Sequence, residues 1–440
     1  MNRHSNVLIE GRTEKLRMTA ATMTKPINVV PRWRAVAAAS VGNALEWFDF
    51  VIYGFFAGTM AKLFFPTVNE TVSLLLALAT FGVTFFMRPL GAIVIGNYAD
   101  RNGRKAAFTL TIFLMMIGTT IIAVAPTYAA IGVFAPLLIV AARMIQGFSA
   151  GGEFGSATAF LAEQNPEQRG LFASWQFASQ GITTILATAI GVSLTSILST
   201  AQIESWGWRV PFLIGLLIGP VAYYIRRHVD ETMEFQSMQV STSPLREALS
   251  DSKKRLLVSL GAVVLCTVAM YTVLFMPTYA TRQLGLTASG GFLGGLLTGV
   301  IQVALIPVFG AMSDRVGRLP IAFPAALGTL VLVYPLFSWL AAAPTLQTLL
   351  IAQGVIGVLS AAYMGPLGAM MSELFPARMR TTGLSISYAF GVAIFGGFAP
   401  FINAWLIEAT GSKLAPAFYL MFASAISLVA LVFARRLDTR

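Results

Sequence analysis

Five charged side chains stand within long apolar stretches of the chain, where a charge is costly. They are Glu46, Asp49, Arg88, Arg143 and Glu153. A charge at the centre of a membrane helix costs about 2.5–3.5 kcal/mol, so such a group usually faces a cavity and has a partner. A carboxylate in a dry cavity holds its proton more tightly, and a nearby arginine loosens that proton again. These residue types therefore indicate a site that handles protons and anions inside a membrane.

The composition indicates that these stretches do cross a membrane. The 440-residue chain is 56% hydrophobic and only 11% charged, with a mean hydropathy of +0.74. Soluble domains carry about 25% charged residues, so a soluble enzyme and a disordered chain are excluded. The apolar runs are continuous and do not alternate, which predicts spanning helices and excludes a β-barrel. One cysteine, Cys266, allows neither an internal disulfide nor a cysteine-based metal site.

We predict an all-α polytopic membrane protein with twelve spans and both termini cytoplasmic. Its expected parts are a tail at 1–34, a six-helix bundle at 35–226, a linker at 227–255, a second bundle at 256–434 and a tail at 435–440. The spans are expected near 35–61, 71–97, 106–126, 131–161, 170–199, 209–226, 256–283, 289–312, 319–341, 345–373, 381–409 and 413–434. Of the 30 Lys and Arg residues, 24 then fall on the cytoplasmic side and four outside, as the positive-inside rule requires. The net charge of +11 therefore indicates membrane orientation and not nucleic-acid binding.

A charged motif recurs after the second span of each half. The sequence is GNYADRNGRK at 96–105 and GAMSDRVGR at 310–318, and a second echo pairs EQNP at 163–166 with ELFP at 373–376. This recurrence predicts two parallel six-helix repeats that rock about a central site. We expect the motif to form a cytoplasmic gate, made in one state and broken in the other. Its residues are Gly96, Asp100, Arg101, Gly103, Arg104, Asp314, Arg315 and Arg318.

The motif at 96–105 resembles the signature of the major facilitator superfamily, and RMIQG at 143–147 resembles its second motif. Narrower stretches resemble the metabolite:proton symporter family, namely GNALEWFDF at 42–50, FMRPLGA at 86–92, GFSAGGE at 147–153 and WGWRVPF at 206–212. The resemblance implies the major facilitator fold and the proton-coupled transport of organic acids such as citrate, 2-oxoglutarate and shikimate, or, in one branch, of proline and betaine. Two further stretches look most like the citrate branch, IFGGFAP at 394–400 and AAAP at 341–344.

Helical spacing groups the polar side chains of several spans into stripes that should not face lipid. We expect substrate contacts from Arg143, Gln146, Gln176, Gln180, Tyr271 and Arg282, and proton coupling at Asp49, Glu46 or Glu153. An arginine fork suits a carboxylate better than a lysine does. At about 1.5 Å per residue, the depths of Glu46 and Arg88 differ by about 2 Å and those of Asp49 and Arg143 by about 6 Å, which allows both pairs. For the amides and hydroxyls, helix–helix packing is the alternative.

The sequence thus predicts a secondary active transporter that works by alternating access in a bacterial inner membrane. We expect a monomer in the lipid bilayer that carries citrate or a related di- or tricarboxylate with protons. No enzymatic activity, cofactor, metal or nucleic acid is expected, since both histidines lie outside the spans and no phosphate loop is present. One alternative is a proline/betaine symporter with Trp47, Tyr271 and Phe275 as an aromatic box. A more distant alternative is a non-transporting nutrient sensor, for which the linker is too short to hold a signalling domain.

Overall fold

A computed structural model describes residues 32–102, 104–151, 153–216, 220, 252–376 and 379–438. Within these residues every regular element is helical, and the helices follow the predicted spans in order. Eight described helices are long and apolar enough to cross a membrane, and Thr109–Val124 and Phe134–Ser149 are shorter apolar helices. Most of the predicted tail at 1–34 and of the linker at 227–255 lies outside the described residues, so the limits of the two bundles stay predictions.

Three spans of the first half, spans 1, 2 and 4, each consist of two helices. Span 1 is helical over Arg32–Phe55 and Ala57–Phe64, and span 2 over Glu70–Phe86 and Arg88–Asn102. The interruption in span 2 lies just before Pro89, whose ring lacks an N–H and clashes with the preceding turn. The other helices of this half are Arg104–Val124 (span 3), Phe134–Ser149 with Glu153–Glu163 (span 4), Arg169–Ile197 (span 5) and residues 209–216 (span 6). Short helical turns lie at Tyr128–Ile131, Pro166–Gln168, Thr200–Gln202 and Ile203–Gly207.

The second half has longer continuous helices. They are Lys253–Arg282 (span 7), Ala288–Val316 (span 8), Leu319–Ala342 (span 9), Leu346–Leu374 (span 10) and Ala415–Asp438 (span 12). Span 11 was expected as one helix at 381–409. It consists instead of Arg380–Gly391, a wider turn at Val392–Gly396 and Ala399–Thr410. The sequence FGGFAP explains the interruption, because two glycines and a proline weaken the helix there.

The two halves repeat the same packing. Span 1 packs on span 5 as span 7 packs on span 11, and span 2 on span 4 as span 8 on span 10. Span 3 on span 4 likewise matches span 9 on span 10. The parallel repeats predicted from the recurring motif are therefore confirmed.

The halves meet along spans 1, 2, 4 and 5 on one side and spans 7, 8, 10 and 11 on the other. We call the two ends of this interface the motif end and the far end. The motif end is defined by Glu163, Gly170, Asp314, Arg318, Glu373 and Arg380. The far end is defined by Glu70, Arg282 and Glu408. The halves touch at both ends of this interface. The polar residues midway between the two ends are therefore enclosed.

Candidate functional site

Arg143 on span 4 is wholly buried and surrounded by aromatic rings. Its guanidinium carbon lies 4.4 Å from the ring centroid of Tyr53, 5.4 Å from that of Phe81 and 5.6 Å from that of Phe50. Nη1 donates to Oε1 of Gln146 at 2.9 Å. Among the described residues, Nε and Nη2 have no hydrogen-bond partner. These two atoms form one edge of the guanidinium, so the side chain presents an unused fork.

Arg88 on span 2 is a second buried arginine, with 6% of its surface exposed. Its guanidinium carbon lies 4.7 Å from the ring centroids of both Trp47 and Phe85, and 4.9 Å from that of Phe50. Its Nε has no hydrogen-bond partner within the described residues. Cation–π contacts stabilise a desolvated guanidinium by about 2 kcal/mol, but they do not neutralise its charge.

The ion pairs expected from helix depth are not found. Among the ion pairs of the described residues there is neither Glu46–Arg88 nor Asp49–Arg143. Glu46 is half-buried. The physical reason is that aromatic rings enclose both guanidinium groups, whereas Asp49 is turned into the interior of the first half.

Nη1 of Arg143 also donates to the backbone carbonyl of Asp49 at 3.4 Å, whereas the carboxylate of Asp49 is connected to Arg143 by two neutral side chains. Its Oδ2 accepts a hydrogen bond from Oγ1 of Thr119 at 2.5 Å. Nε2 of Gln146 donates to the same Thr119 oxygen at 2.9 Å, while Oε1 of Gln146 accepts from Arg143. The backbone of Gly215 on span 6 packs directly against the carboxylate, where a Cβ would overlap it. Spans 1, 3, 4 and 6 therefore fix Asp49 at the end of a buried hydrogen-bond chain.

The hydroxyl of Thr119 can serve both protonation states of Asp49. It has one hydrogen, and two acceptors lie within reach, Oδ2 of Asp49 and the backbone carbonyl of Met115 at 3.1 Å. When Asp49 is ionised, the hydroxyl donates to the carboxylate. When Asp49 is protonated, the hydroxyl accepts from the carboxyl group and donates to Met115. The direction of this bond thus follows the proton on Asp49.

Gln176 and Gln180, the two predicted residues of span 5, differ in their contacts. Nε2 of Gln176 donates to Asn43 at 3.2 Å, and Asn43 donates to Ser179 at 2.7 Å. These bonds join spans 1 and 5 within the first half. Gln180 is also buried, but its Nε2 has no hydrogen-bond partner among the described residues.

Tyr271, on span 7 of the second half, lies at the same level along the interface as Arg88 and Arg143. Its ring centroid lies 5.1 Å from that of Phe85, which contacts Arg88, and 5.8 Å from that of Phe81, which contacts Arg143. The hydroxyl is buried and has no hydrogen-bond partner within the described part of the chain. It is therefore a donor that a bound ligand can use.

Arg282 lies away from this group, at the far end. Its Nη1 donates to the backbone carbonyl of Glu70 at 3.3 Å, and Oε2 of Glu70 is 3.9 Å away. It also lines a small cleft with Thr278 and Glu408. Its place is the rim of the interface. The side chain of Glu153, another predicted residue, lies outside the described residues.

At the motif end, Asp314 joins the two halves. Its carboxylate accepts the backbone N–H groups of Gly170 at 2.7 Å and Leu171 at 3.0 Å, at the positive N-terminus of span 5. Arg318 donates to Asp314 at 2.7 Å and, through two nitrogens, to Glu373 at 2.9 and 3.3 Å. We call these residues the gate.

The charge on Arg318 follows from these contacts. Burial disfavours the charged guanidinium, but the hydrogen bonds to Glu373 and Asp314 outweigh it and raise the pKa of Arg318. A second ion pair between the halves joins Arg380 to Glu163 at 2.8 Å. Glu163 is the first residue of the EQNP stretch that recurs as ELFP.

The first copy of the motif is only partly described. Gly103 lies outside the described residues. So do the environment of Gly96 and the side chains of Asp100, Arg101 and Arg104. Arg315, the remaining predicted gate residue, is exposed.

Asp314→Asn and Arg318→Gln are each expected to slow transport about tenfold and to leave ligand affinity within about twofold of wild type. Each change removes a charge-assisted bond between gate groups, worth about 1.5–3 kcal/mol, but touches nothing near Arg143. Initial uptake rates and binding to detergent-purified protein measure the two effects. Lys254→Gln is the matched control, because Lys254 is exposed and is not a gate residue. A loss of affinity comparable to that of an Arg143 variant would contradict the gate assignment.

Sequence reasoning missed Thr119 because span 3 carries no polar stripe. Its only signal is the neighbouring Gly118, which allows Gln146 to approach span 3 closely. It also missed the ring stack of Phe154 on Tyr388, whose centroids are 3.4 Å apart between spans 4 and 11.

Comparison with known proteins adds to this description. Residues 35–260 match the family model "Sugar (and other) transporter", and residues 291–440 match "Major Facilitator Superfamily". The chain is 36% identical over 425 residues to the citrate-proton symporter of Klebsiella pneumoniae, covering 94% of this chain and 96% of that one. It is 33% identical over 421 residues to the proline/betaine transporter of Escherichia coli K12, covering 90% of this chain and 82% of that one. The fold is similar to a crystal structure of a D-xylose-proton symporter, with a TM-score of 0.71 at 17% identity over 91% of this chain and 97% of that one.

Proposed function

Because the chain belongs to the metabolite:proton symporter family of the major facilitator superfamily, we propose that it carries a small organic acid, citrate or a related di- or tricarboxylate, together with protons. Two buried arginines without a carboxylate partner among the described residues support this most directly. An unpaired charge in a buried site is strongly unfavourable. An anionic substrate supplies the missing charge, and the unused fork of Arg143 binds it.

The same geometry argues against betaine as the main substrate. A quaternary ammonium needs aromatic faces that are open to it. Trp47 is stacked on Arg88, and Tyr271 packs on two of the rings that contact the arginines. Phe275 lines the far-end cleft next to Arg282. The cationic end of such a zwitterion would therefore enter a site that already holds two positive charges, so proline/betaine symport stays the second candidate, based on the 33% identical relative.

In the proposed mechanism, Asp49 carries the proton and Arg143 binds the substrate. Protonation of Asp49 reverses the hydrogen bond between Asp49 and Thr119. Thr119 also accepts from Gln146, and Gln146 accepts from Arg143, so this reversal changes the hydrogen bonding of Arg143. The substrate carboxylate and the proton are thereby coupled through one buried chain. Rocking of the halves then opens the gate at the motif end and closes the far end, or the reverse. We place the motif end and both termini in the cytoplasm of a bacterial cell, with the protein in the inner membrane.

Thr119→Val is expected to lower pH-driven accumulation of citrate about tenfold, while citrate binding at fixed pH stays within about twofold of wild type. Valine has the shape of threonine but cannot donate or accept, so the chain between Asp49 and Gln146 is broken. Thr119→Ser should retain accumulation. Thr120→Val is the matched control, since Thr120 is exposed and donates only to the backbone carbonyl of Met116 at 2.7 Å. Equal accumulation in both valine variants would remove Thr119 from the coupling chain.

The proposed function is tested by competition for uptake. Purified protein is placed in liposomes, an acid-outside gradient is imposed, and uptake of labelled citrate is measured. Excess unlabelled citrate or a dicarboxylate is expected to compete, and excess betaine or proline is not. Labelled betaine uptake that citrate does not inhibit would favour the second candidate.

A further inference from the structure

Arg88 and Arg143 lie against the same aromatic ring. Their guanidinium carbons are 4.9 and 5.6 Å from the ring centroid of Phe50. Phe85 contacts the first arginine and Phe81 the second, and the centroids of these two rings are 5.2 Å apart. The two positive charges therefore share one aromatic enclosure and come from two different spans.

These two charges repel each other in a poorly solvated space. At short range in a site of low effective dielectric, like charges interact far more strongly than in water. No carboxylate of the described residues forms an ion pair with either arginine. A ligand with a single carboxylate on Arg143 leaves Arg88 without a counter-charge, whereas a ligand with two carboxylates neutralises both.

Both arginines also have donors to spare. Arg143 has Nε and Nη2 without a partner, and Arg88 has Nε without a partner, among the described residues. Tyr271 of the opposite half, whose hydroxyl is also without a partner among the described residues, packs on Phe81 and Phe85. Carboxylates form their strongest hydrogen bonds with such guanidinium edges. The donors thus come from both halves of the transporter.

We propose that Arg88 is a second substrate-binding residue, and that the site takes a ligand with at least two carboxylates, one on Arg143 and one on Arg88. This inference rests on the proposed function and makes it narrower. The alternative is that Arg88 is purely structural and stabilises the fold through Trp47 and Phe85. In that case a change at Arg88 would not alter the preference for a ligand with two charges over one with a single charge. Ligand discrimination is therefore the readout that separates the two roles.

The test compares two ligands of the same length on purified protein at fixed pH. Succinate has two carboxylates, and in succinamate one of them is replaced by an uncharged amide; citrate serves as the reference acid. Wild type is expected to bind succinate at least about tenfold more tightly than succinamate. In Arg88→Lys, which keeps the charge but loses the fork, this ratio should fall to about threefold or less, with succinamate affinity nearly unchanged. Arg209→Lys, at an arginine stacked 4.3 Å from the ring centroid of Trp208, is the control that should retain the wild-type ratio.

Several results would overturn the proposal. Equal affinities of wild type for succinate and succinamate would do so without any variant. A wild-type ratio that persists in Arg88→Lys would show that the second carboxylate is held elsewhere. Thermal unfolding of each variant shows whether it folds, and Arg88→Gln replaces the lysine variant if that one does not. Failure of the proposed function is a different outcome, in which wild type binds none of the three acids but does bind betaine.

Discussion

Replacing Arg143 by lysine is expected to weaken citrate binding about a hundredfold, and replacement by alanine to weaken it further. Lysine keeps the charge but cannot offer the Nε and Nη2 edge that is left without a partner within the described structure. A bond between charged groups in a buried site contributes about 1.5–3 kcal/mol, and about 2.8 kcal/mol corresponds to a hundredfold in affinity. Equilibrium binding of labelled citrate to purified protein, measured across pH, gives the result directly.

The control for Arg143 is Arg209→Lys. Like Arg143, Arg209 lies over an aromatic ring, and it donates to the backbone carbonyls of Ser205 and Ala125, at 3.1 and 3.0 Å, but it lies outside the site. Its lysine variant should bind citrate like wild type. If Arg143→Lys and Arg143→Ala also bind citrate as tightly as wild type, Arg143 is structural, and the anchor must be sought at Arg88 or Arg282.

Asp49→Asn is expected to abolish uphill uptake driven by a pH gradient and to spare citrate exchange at equal pH. The amide has the same shape, so it still accepts from Thr119 and still fits against the backbone of Gly215. It cannot bind or release a proton, so substrate movement is no longer tied to the gradient. Accumulation should therefore fall to the ratio that the substrate reaches by passive equilibration. Uptake and exchange in the same liposomes separate these two effects.

Glu204→Gln is the control for Asp49. Glu204 is a carboxylate paired with Lys62 at 2.9 Å, and 35% of its side chain is exposed. Its amide variant should accumulate citrate normally. Undiminished accumulation by Asp49→Asn would assign the proton to another carboxylate, and Glu46 and Glu153 would be the next variants to make.

The sequence predicted the spans, the repeat and the burial of Arg143, because these depend on composition and period alone. It did not predict which partners the charged side chains choose. The rise per residue places Asp49 within about 6 Å of the depth of Arg143, but the rotation of each helix about its axis is set by tertiary packing. Span 1 is turned so that Asp49 faces Thr119 and Gly215. The carboxylate of Asp49 is therefore linked to Arg143 through residues of spans 3 and 4, and only the backbone carbonyl of Asp49 contacts Arg143 directly.

Span 7 shows a second feature that helical spacing does not predict, namely how far along a helix the polar residues of one face lie from the site. Tyr271 and Arg282 share one face, but eleven residues separate them, which is about 16 Å along a helix. One stripe therefore extends from the central site to the rim at Glu70. The aromatic enclosure of Arg88 and Arg143 has a similar origin. Each ring is an ordinary apolar residue in the sequence, and only the packing of spans 1, 2 and 4 brings the rings together around the two charges.

Proton symport requires that an organic anion and protons move together through this protein. Its most direct test is to follow the pH inside liposomes that hold the purified protein and a trapped pH indicator, with no gradient imposed and with valinomycin and potassium present to prevent a membrane potential from building up. Addition of citrate outside is expected to acidify the interior at a rate that follows citrate entry, and Asp49→Asn should remove this acidification. Citrate entry with no change of internal pH in the wild-type protein would contradict proton symport.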